Sequence, residues 1–344
     1  MSAEKAPAGE RPVVFVTNRV HREVITFLNE SAEVLANPSE DPFPRAAFFE
    51  RAARANAMMV FMNDSLGAAD LDRCPNLRVV AAALKGYDNF DVGACAERGI
   101  WFTIVPDLLT IPTAELTIAL MLGLARKVLE GDRAVRSGAF AGWRPILYGT
   151  GFAGRTVGIV GMGKLGSAVA ERLAAFGMKI LYADPVVLPA DTEKNLSAAR
   201  VELDELAARS DFVVLLAPLA PGTLHAFDAA MLARMKPGSF LVNVGRGSVV
   251  DEPAVATSLK SGRLAGYAAD VFEMEDWARA DRPRSIDPGL LAQADRTLFT
   301  PHLGSAVRET RLEIEMRAAR NIAEALAGRR PPDAINEPRG TKGD

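Results

Sequence analysis

The stretch Thr156-Val157-Gly158-Ile159-Val160-Gly161-Met162-Gly163-Lys164-Leu165-Gly166 decides how the rest of the chain is read. A short run of branched apolar residues passes directly into G-x-G-x-x-G. A helical pattern follows, with Leu165, Val169, Leu173 and Phe176 on its apolar face and Gly177 as its stop. In such a turn the first glycine permits the bend, the second lets the backbone approach a pyrophosphate, and the third lets helix pack on strand. The helix N-terminus adds N–H donors and positive potential. Strand, glycines and helix in register therefore predict a dinucleotide site cradled by Gly161, Gly163, Lys164, Leu165 and Gly166.

Beyond that helix, the run 178–183 ends at Asp184-Pro185, near the interval at which an acid accepts hydrogen bonds from the adenosine ribose. With no Arg or Lys beside Asp184 in sequence, NAD is expected in preference to NADP. Further apolar runs at 212–217, 239–244, 264–269 and 297–300, mostly separated by helical segments, predict a six-stranded doubly wound parallel sheet of Rossmann type. Pro218, Val244, Gly245 and Asp270, at strand ends, are further candidates to line the cofactor. Upstream, runs at 13–16, 58–62 and 79–84 alternate with helix-like segments such as 45–57. Their continuous apolar character is that of strands covered on both faces, so the first hundred residues read as a smaller α/β unit. A long helix is expected from Thr110 to a stop at Gly138, a Gly/Pro/aromatic loop over 140–154, a second long helix over 307–327, and an extended tail over 329–344.

With 40 basic and 43 acidic residues in 344, the net charge of -3 excludes a broad polyanion-binding surface, so neither nucleic acid nor membrane is an expected partner. The longest apolar runs fall short of the roughly 20 residues needed to span a bilayer. The polar start, 1–11, lacks a signal-peptide core. Cys74 and Cys95 have no metal-ligand or C-x-x-C spacing and read as small buried hydrophobes of a reduced, cytoplasmic protein, with no metal expected.

Three histidines are the candidates for acid–base work near neutrality. His21 opens the first helix, and His225 lies in a helix-start segment where a surface or capping role is the better reading. His302, in Thr300-Pro301-His302-Leu303-Gly304-Ser305, follows the last strand at the carboxyl edge where such sheets bind ligands. Arg246 follows the strand ending at Val244, and Glu275 follows the strand before Asp270, so all three fall at one edge. A guanidinium holds an oxyanion in a fixed fork, and a carboxylate beside a histidine orients the ring and favours its charged form.

On the glycine motif, Asp184 and the trio Arg246, Glu275 and His302, the chain resembles the D-2-hydroxyacid dehydrogenase family from about Val13 to Asn336. The resemblance implies NAD-dependent hydride transfer and homodimers built around the nucleotide domain. It also implies a flavodoxin-like α/β substrate domain made from both chain ends (1–108 and 305–344) beside a nucleotide domain at 109–304, joined by the two long helices. Within the family, the chain is most similar to members acting on phosphite (phosphonate). The similarity lies in 84–91 around Lys85-Gly86, in 106–110, in the loop 143–151, in 271–283, and in 304–308 leading to Arg311. It implies a phosphite site with Lys85, Arg246 and Arg311 as cationic ligands and Gly86, Met62, Trp143, Tyr148 and Ser305 around them. Phosphite presents three oxygens and up to two charges, a carboxylate two oxygens and one charge, so three cations suit phosphite better.

The implied chemistry is oxidation of phosphite to phosphate, with His302 taking or relaying a proton from the attacking water. A histidine held cationic by Glu275 is a good anion clamp and a poor base, so the residues leave the water-activating group open. The alternative enzyme is a D-2-hydroxyacid dehydrogenase of glyoxylate or hydroxypyruvate reductase type, for which Arg246, Glu275 and His302 suffice. A NAD-sensing corepressor on the same fold is disfavoured by the intact trio and by the lack of a basic stripe.

Overall fold

A computed structural model describes residues 11–339. The chain divides into two compact units: 1–109 with 307–344, and 110–306. The leader 1–10 and the last residues, 340–344, lie outside the described part.

In the first unit, strands β1 (Val13–Val16), β2 (Glu33–Ala36), β3 (Ala57–Val60), β4 (Val79–Ala82) and β5 (Trp101–Thr103) form a parallel sheet in the order β2-β1-β3-β4-β5. This is the flavodoxin-like order, with its switch point between β1 and β3. The continuous apolar runs are explained by cores on both faces. Phe15, Met58, Val80 and Phe102 pack one way, while Val14, Met59, Val79 and Ala81 pack against Ile314, Ala318 and Ile322 of the helix Arg308–Leu326. Two strands escape an apolar-run reading: β2 carries an exposed Glu33 and no fully buried residue, and β5 is three residues long.

The stretch 329–339 is not a loose tail. Ile335 N donates to the Phe102 carbonyl, and the Asn336 side chain bridges Phe102 N and the Ile100 carbonyl. Arg317 pairs with Asp333 at 2.7 Å.

The second unit holds seven parallel strands, one more than expected: β6 (Thr156–Val160), β7 (Lys179–Ala183), β8 (Ala198–Arg200), β9 (Phe212–Leu215), β10 (Ser239–Asn243), β11 (Leu264–Ala269) and β12 (Thr297–Phe299), in the order β12-β11-β10-β9-β6-β7-β8. Strand β8 pairs only with β7, and only through three residues with none buried, so it leaves no apolar signature. Its register nevertheless completes the Rossmann order on that flank.

The expected helix from Thr110 to Gly138 is two helices, Thr110–Ala125 and Val128–Arg136, broken where Lys127 turns left-handed (φ 55°). The Ala125 carbonyl is taken by Thr150 N at 2.8 Å, and a Cβ on Gly149 would fall 2.4 Å from that same oxygen, so the returning loop occupies the space of a further turn. Among the described residues no helix is long and apolar enough to cross a membrane. Cys74 and Cys95 are buried free thiols, and burial pushes them up to about 11 and about 12 respectively, which leaves little thiolate at neutral pH.

Candidate active site

The glycine turn after β6 is shaped by contacts that a side chain would destroy. Gly161 has φ 94°, and a Cβ there would meet Ala217 N at 2.9 Å; a Cβ on Gly166 would meet the Gly161 carbonyl at 2.3 Å. Gly163, which precedes the helix Lys164–Ala175, is different: a Cβ there would meet nothing within 4 Å. Protein packing therefore explains two glycines, while the third keeps exposed backbone clear at a helix N-terminus, which fits a pyrophosphate. Lys164 is exposed and Leu165 half-buried beside it. Val244 is buried at the end of β10, a Cβ on Gly245 would fall 2.7 Å from the Ala217 carbonyl, and Pro218 is exposed beyond β9.

Asp184 stands past the end of β7, followed by exposed Pro185. Its Oδ2 accepts from Met162 N and its Oδ1 from Val186 N, each at 2.7 Å, so the acid ties the glycine turn to the second strand. One expectation is corrected here. A basic residue does stand beside Asp184: Arg200 donates through Nε to the Asp184 carbonyl at 3.1 Å. It lies sixteen residues along the chain and is delivered by β8, the strand that the apolar pattern did not reveal.

The catalytic candidates sit on the opposite flank, beyond the carboxyl ends of three neighbouring strands: Arg246 after β10, Glu275 after β11 and His302 after β12. Glu275 Oε2 lies 2.7 Å from His302 Nδ1, both side chains about 29% exposed, and Glu275 Oε1 accepts from Phe272 N at 2.8 Å. The carboxylate is thus fixed by backbone and in turn fixes the ring, leaving Nε2 as the nitrogen available for proton transfer.

His302 has φ 57°, a strained conformation for a non-glycine residue. Asp270 holds it there. The Asp270 carbonyl accepts from His302 N at 2.9 Å. Its carboxylate accepts from Thr300 Oγ1 (2.5 Å), Leu303 N (2.7 Å) and Gly304 N (2.8 Å). Burial raises the Asp270 carboxyl above its ordinary range against the pull of those donors. Asp270, named among the cofactor candidates, is thus turned toward the histidine loop.

Arg246 is held by its own loop: Asn243 Nδ2 donates to the Arg246 carbonyl at 2.9 Å, and Nη1 donates to the Gly245 carbonyl at 3.0 Å. A Cβ on Gly247 would fall 1.9 Å from the Phe272 carbonyl carbon, so the backbones of the Arg246 and Glu275 loops touch directly. A half-buried network that sequence reasoning missed stitches the same two loops together. Arg279 Nη1 donates to Ser248 Oγ (2.8 Å) and Glu273 Oε2 (2.9 Å), and His225 Nε2 meets that Glu273 oxygen at 2.8 Å. His225 is thereby a structural residue of this network, joined to it over 48 positions of chain.

The remaining substrate candidates divide between the units. In the first, Met62 lies beyond β3 and Lys85-Gly86 beyond β4, so both mark the carboxyl edge of that sheet; Lys85 Nζ pairs with Asp107 at 3.3 Å, and Asn89 donates to the Met62 carbonyl. The Arg311 guanidinium lies 5.7 Å from the ring of Phe61, the residue after β3, and burial lowers its pKa. Glu315, one turn on, faces Arg311 at 3.6 Å and receives both His21 N and His21 Nδ1. The i,i+4 spacing of Arg311 and Glu315 was a readable signal; the partnership with His21 was not. In the second unit Ser305 is half-buried after the histidine loop, while Trp143 and Tyr148 are 82% and 74% exposed.

Residues 118–304 match the model of the D-isomer specific 2-hydroxyacid dehydrogenase NAD-binding domain. The chain belongs to the D-2-hydroxyacid dehydrogenase family. It is 38% identical over 329 residues to a glyoxylate reductase of Korarchaeum cryptofilum and 36% identical over 331 residues to one of Thermococcus onnurineus, in both cases covering 95% of this chain and 96% of the relative. The solved structure of the TT0316 protein from Thermus thermophilus superposes with a TM-score of 0.84 at 34% identity, over 94% of this chain and 99% of that one. These similarities make it a NAD-binding oxidoreductase of this family.

Proposed function

We propose that this dehydrogenase oxidises phosphite (phosphonate) to phosphate, with NAD as hydride acceptor: a phosphonate dehydrogenase activity on the D-2-hydroxyacid dehydrogenase plan. The observation that carries the reading is the supply of cations. Besides Arg246, two more, Lys85 and Arg311, stand at the β3–β4 carboxyl edge of the first unit. One fork satisfies a monoanionic carboxylate, whereas phosphite brings up to two charges on three oxygens.

NAD, when bound, supplies the carbon that accepts the hydride. As the P–H bond gave up its hydride and a P–O bond formed from water, His302 Nε2 would take the water's proton. Glu275 stabilises the charge that develops on the ring, and Arg246 stabilises the substrate's oxygens; a preorganised donor of that kind is typically worth about 3 to 4 kcal/mol.

A second reading, reduction of glyoxylate or hydroxypyruvate, is favoured by the names of the relatives, and Arg246, Glu275 and His302 are sufficient for it. Assaying NADH formation with phosphite against NADH consumption with glyoxylate separates the two. Turnover of glyoxylate with none of phosphite overturns the first reading.

We further propose a homodimer in the cytoplasm. The exposed apolar side chains of Val128, Leu129, Val135, Phe140, Ile146 and Leu147 support it as surface that a second copy would cover, and a monomer by light scattering would refute it.

A further inference from the structure

The adenosine end of the cofactor site carries an observation that is independent of the substrate. A lone acid past the second strand of a Rossmann sheet accepts from the ribose hydroxyls and repels a 2'-phosphate. Here the acid is compromised in two ways. Both Asp184 oxygens already accept backbone N–H groups, from Met162 and Val186, so part of their acceptor capacity is spent within the protein. Arg200 is the last residue of the neighbouring strand β8, in register with Tyr182, and it places a guanidinium against the Asp184 carbonyl. Glu202 faces it at 3.8 Å from Nη1 and is 84% exposed, a separation and exposure at which the attraction is weak. A planar, permanently charged fork beside the ribose position is the chemistry that recognises a phosphate.

We infer that Arg200 is a cofactor-specificity residue that recognises the 2'-phosphate, so that the protein binds NADP as well as NAD. This rests on the NAD-binding fold and not on the choice between phosphite and glyoxylate. Calorimetric titration of the full chain with 2',5'-ADP and with 5'-ADP, fragments that carry and lack the 2'-phosphate, tests it without any turnover. The wild type is expected to bind both. Arg200→Gln is expected to weaken 2',5'-ADP by roughly tenfold or more while 5'-ADP changes by less than about twofold, and Arg200→Lys is expected to restore part of the loss as a point charge without the fork. Equal weakening of both fragments, no weakening of either, or a wild type that binds 5'-ADP alone overturns the inference. A wild type that binds neither fragment overturns the dinucleotide site along with it.

Discussion

Replacing Glu275 by Gln keeps the side chain's length and its oxygen on Phe272 N, and removes one charge 2.7 Å from His302 Nδ1. Hydrogen bonds to a charged partner contribute about 1.5 to 3 kcal/mol and neutral ones about 0.5 to 1.5, so the loss in a transition state with charge building on the ring is about 1 to 2 kcal/mol. Each 1.4 kcal/mol is about tenfold in rate, which predicts a kcat lowered by roughly fivefold to thirtyfold. The amide can also turn its NH2 toward Nδ1 and impose the wrong tautomer, and the fall would then be steeper. Steady-state kinetics with the substrate that turns over provides the assay, and the split matters: kcat should fall while KM for NAD stays level, because the glycine turn and Asp184 lie on the other flank of the sheet. A Glu275→Gln enzyme with unchanged kcat, or one that loses NAD affinity instead, would refute the reasoning.

Three further outcomes are expected. His302→Asn, a residue type that tolerates φ 57°, should abolish turnover and leave NAD titration intact; substantial NADH formation by that variant removes His302 from its role. Asp270→Asn sets an amide donor against backbone N–H groups of Leu303 or Gly304, a mismatch of about 1 to 3 kcal/mol, and should lower both thermal stability and kcat; unchanged melting and kinetics would sink it. Asp64, buried beside Thr17 and Phe61 N, has its carboxyl raised from 3.8 to about 6, chiefly by burial. The folded state therefore holds this proton more tightly than the unfolded chain, so the contribution of this group is full below pH 4 and is lost as pH rises through 6, a change of about 3 kcal/mol. In Asp64→Asn an amide oxygen can accept both existing bonds, and that portion of the slope should vanish in melts recorded across the window; an unaltered slope counts against it.

The parts of the molecule legible in sequence are those where one local rule acts alone. The glycine turn, β6 and β7 announce themselves because buried parallel strands must be continuously apolar and the turn's backbone leaves little choice. The edge elements β2 and β8 were hidden because short, half-solvated strands owe their existence to a neighbour's backbone hydrogen bonds and need no apolar run, and β5 because three residues are too few to make one. The trio Arg246, Glu275 and His302 could be placed at one edge because each follows a strand. The parts that hold them could not: Asp270 bonding the histidine loop, Gly247 against Phe272, and Arg279 with Glu273 and His225 are contacts between segments remote in sequence. The absence of a base near Asp184 failed for the same reason, since adjacency was judged along the chain and Arg200 arrives across the sheet.

The sheet of the second unit sets the glycine turn, Asp184 and Arg200 after β6, β7 and β8, and Arg246, Glu275 and His302 after β10, β11 and β12, with β9 between them. Residues that share no partner and stand well apart contribute to free energy almost additively. Substitutions at Arg200 and at Glu275 should therefore combine as the product of their separate effects. A lineage carrying this fold can exchange one redox currency for another, or one oxidisable anion for another, in separate mutational steps, neither of which has to await compensation in the other.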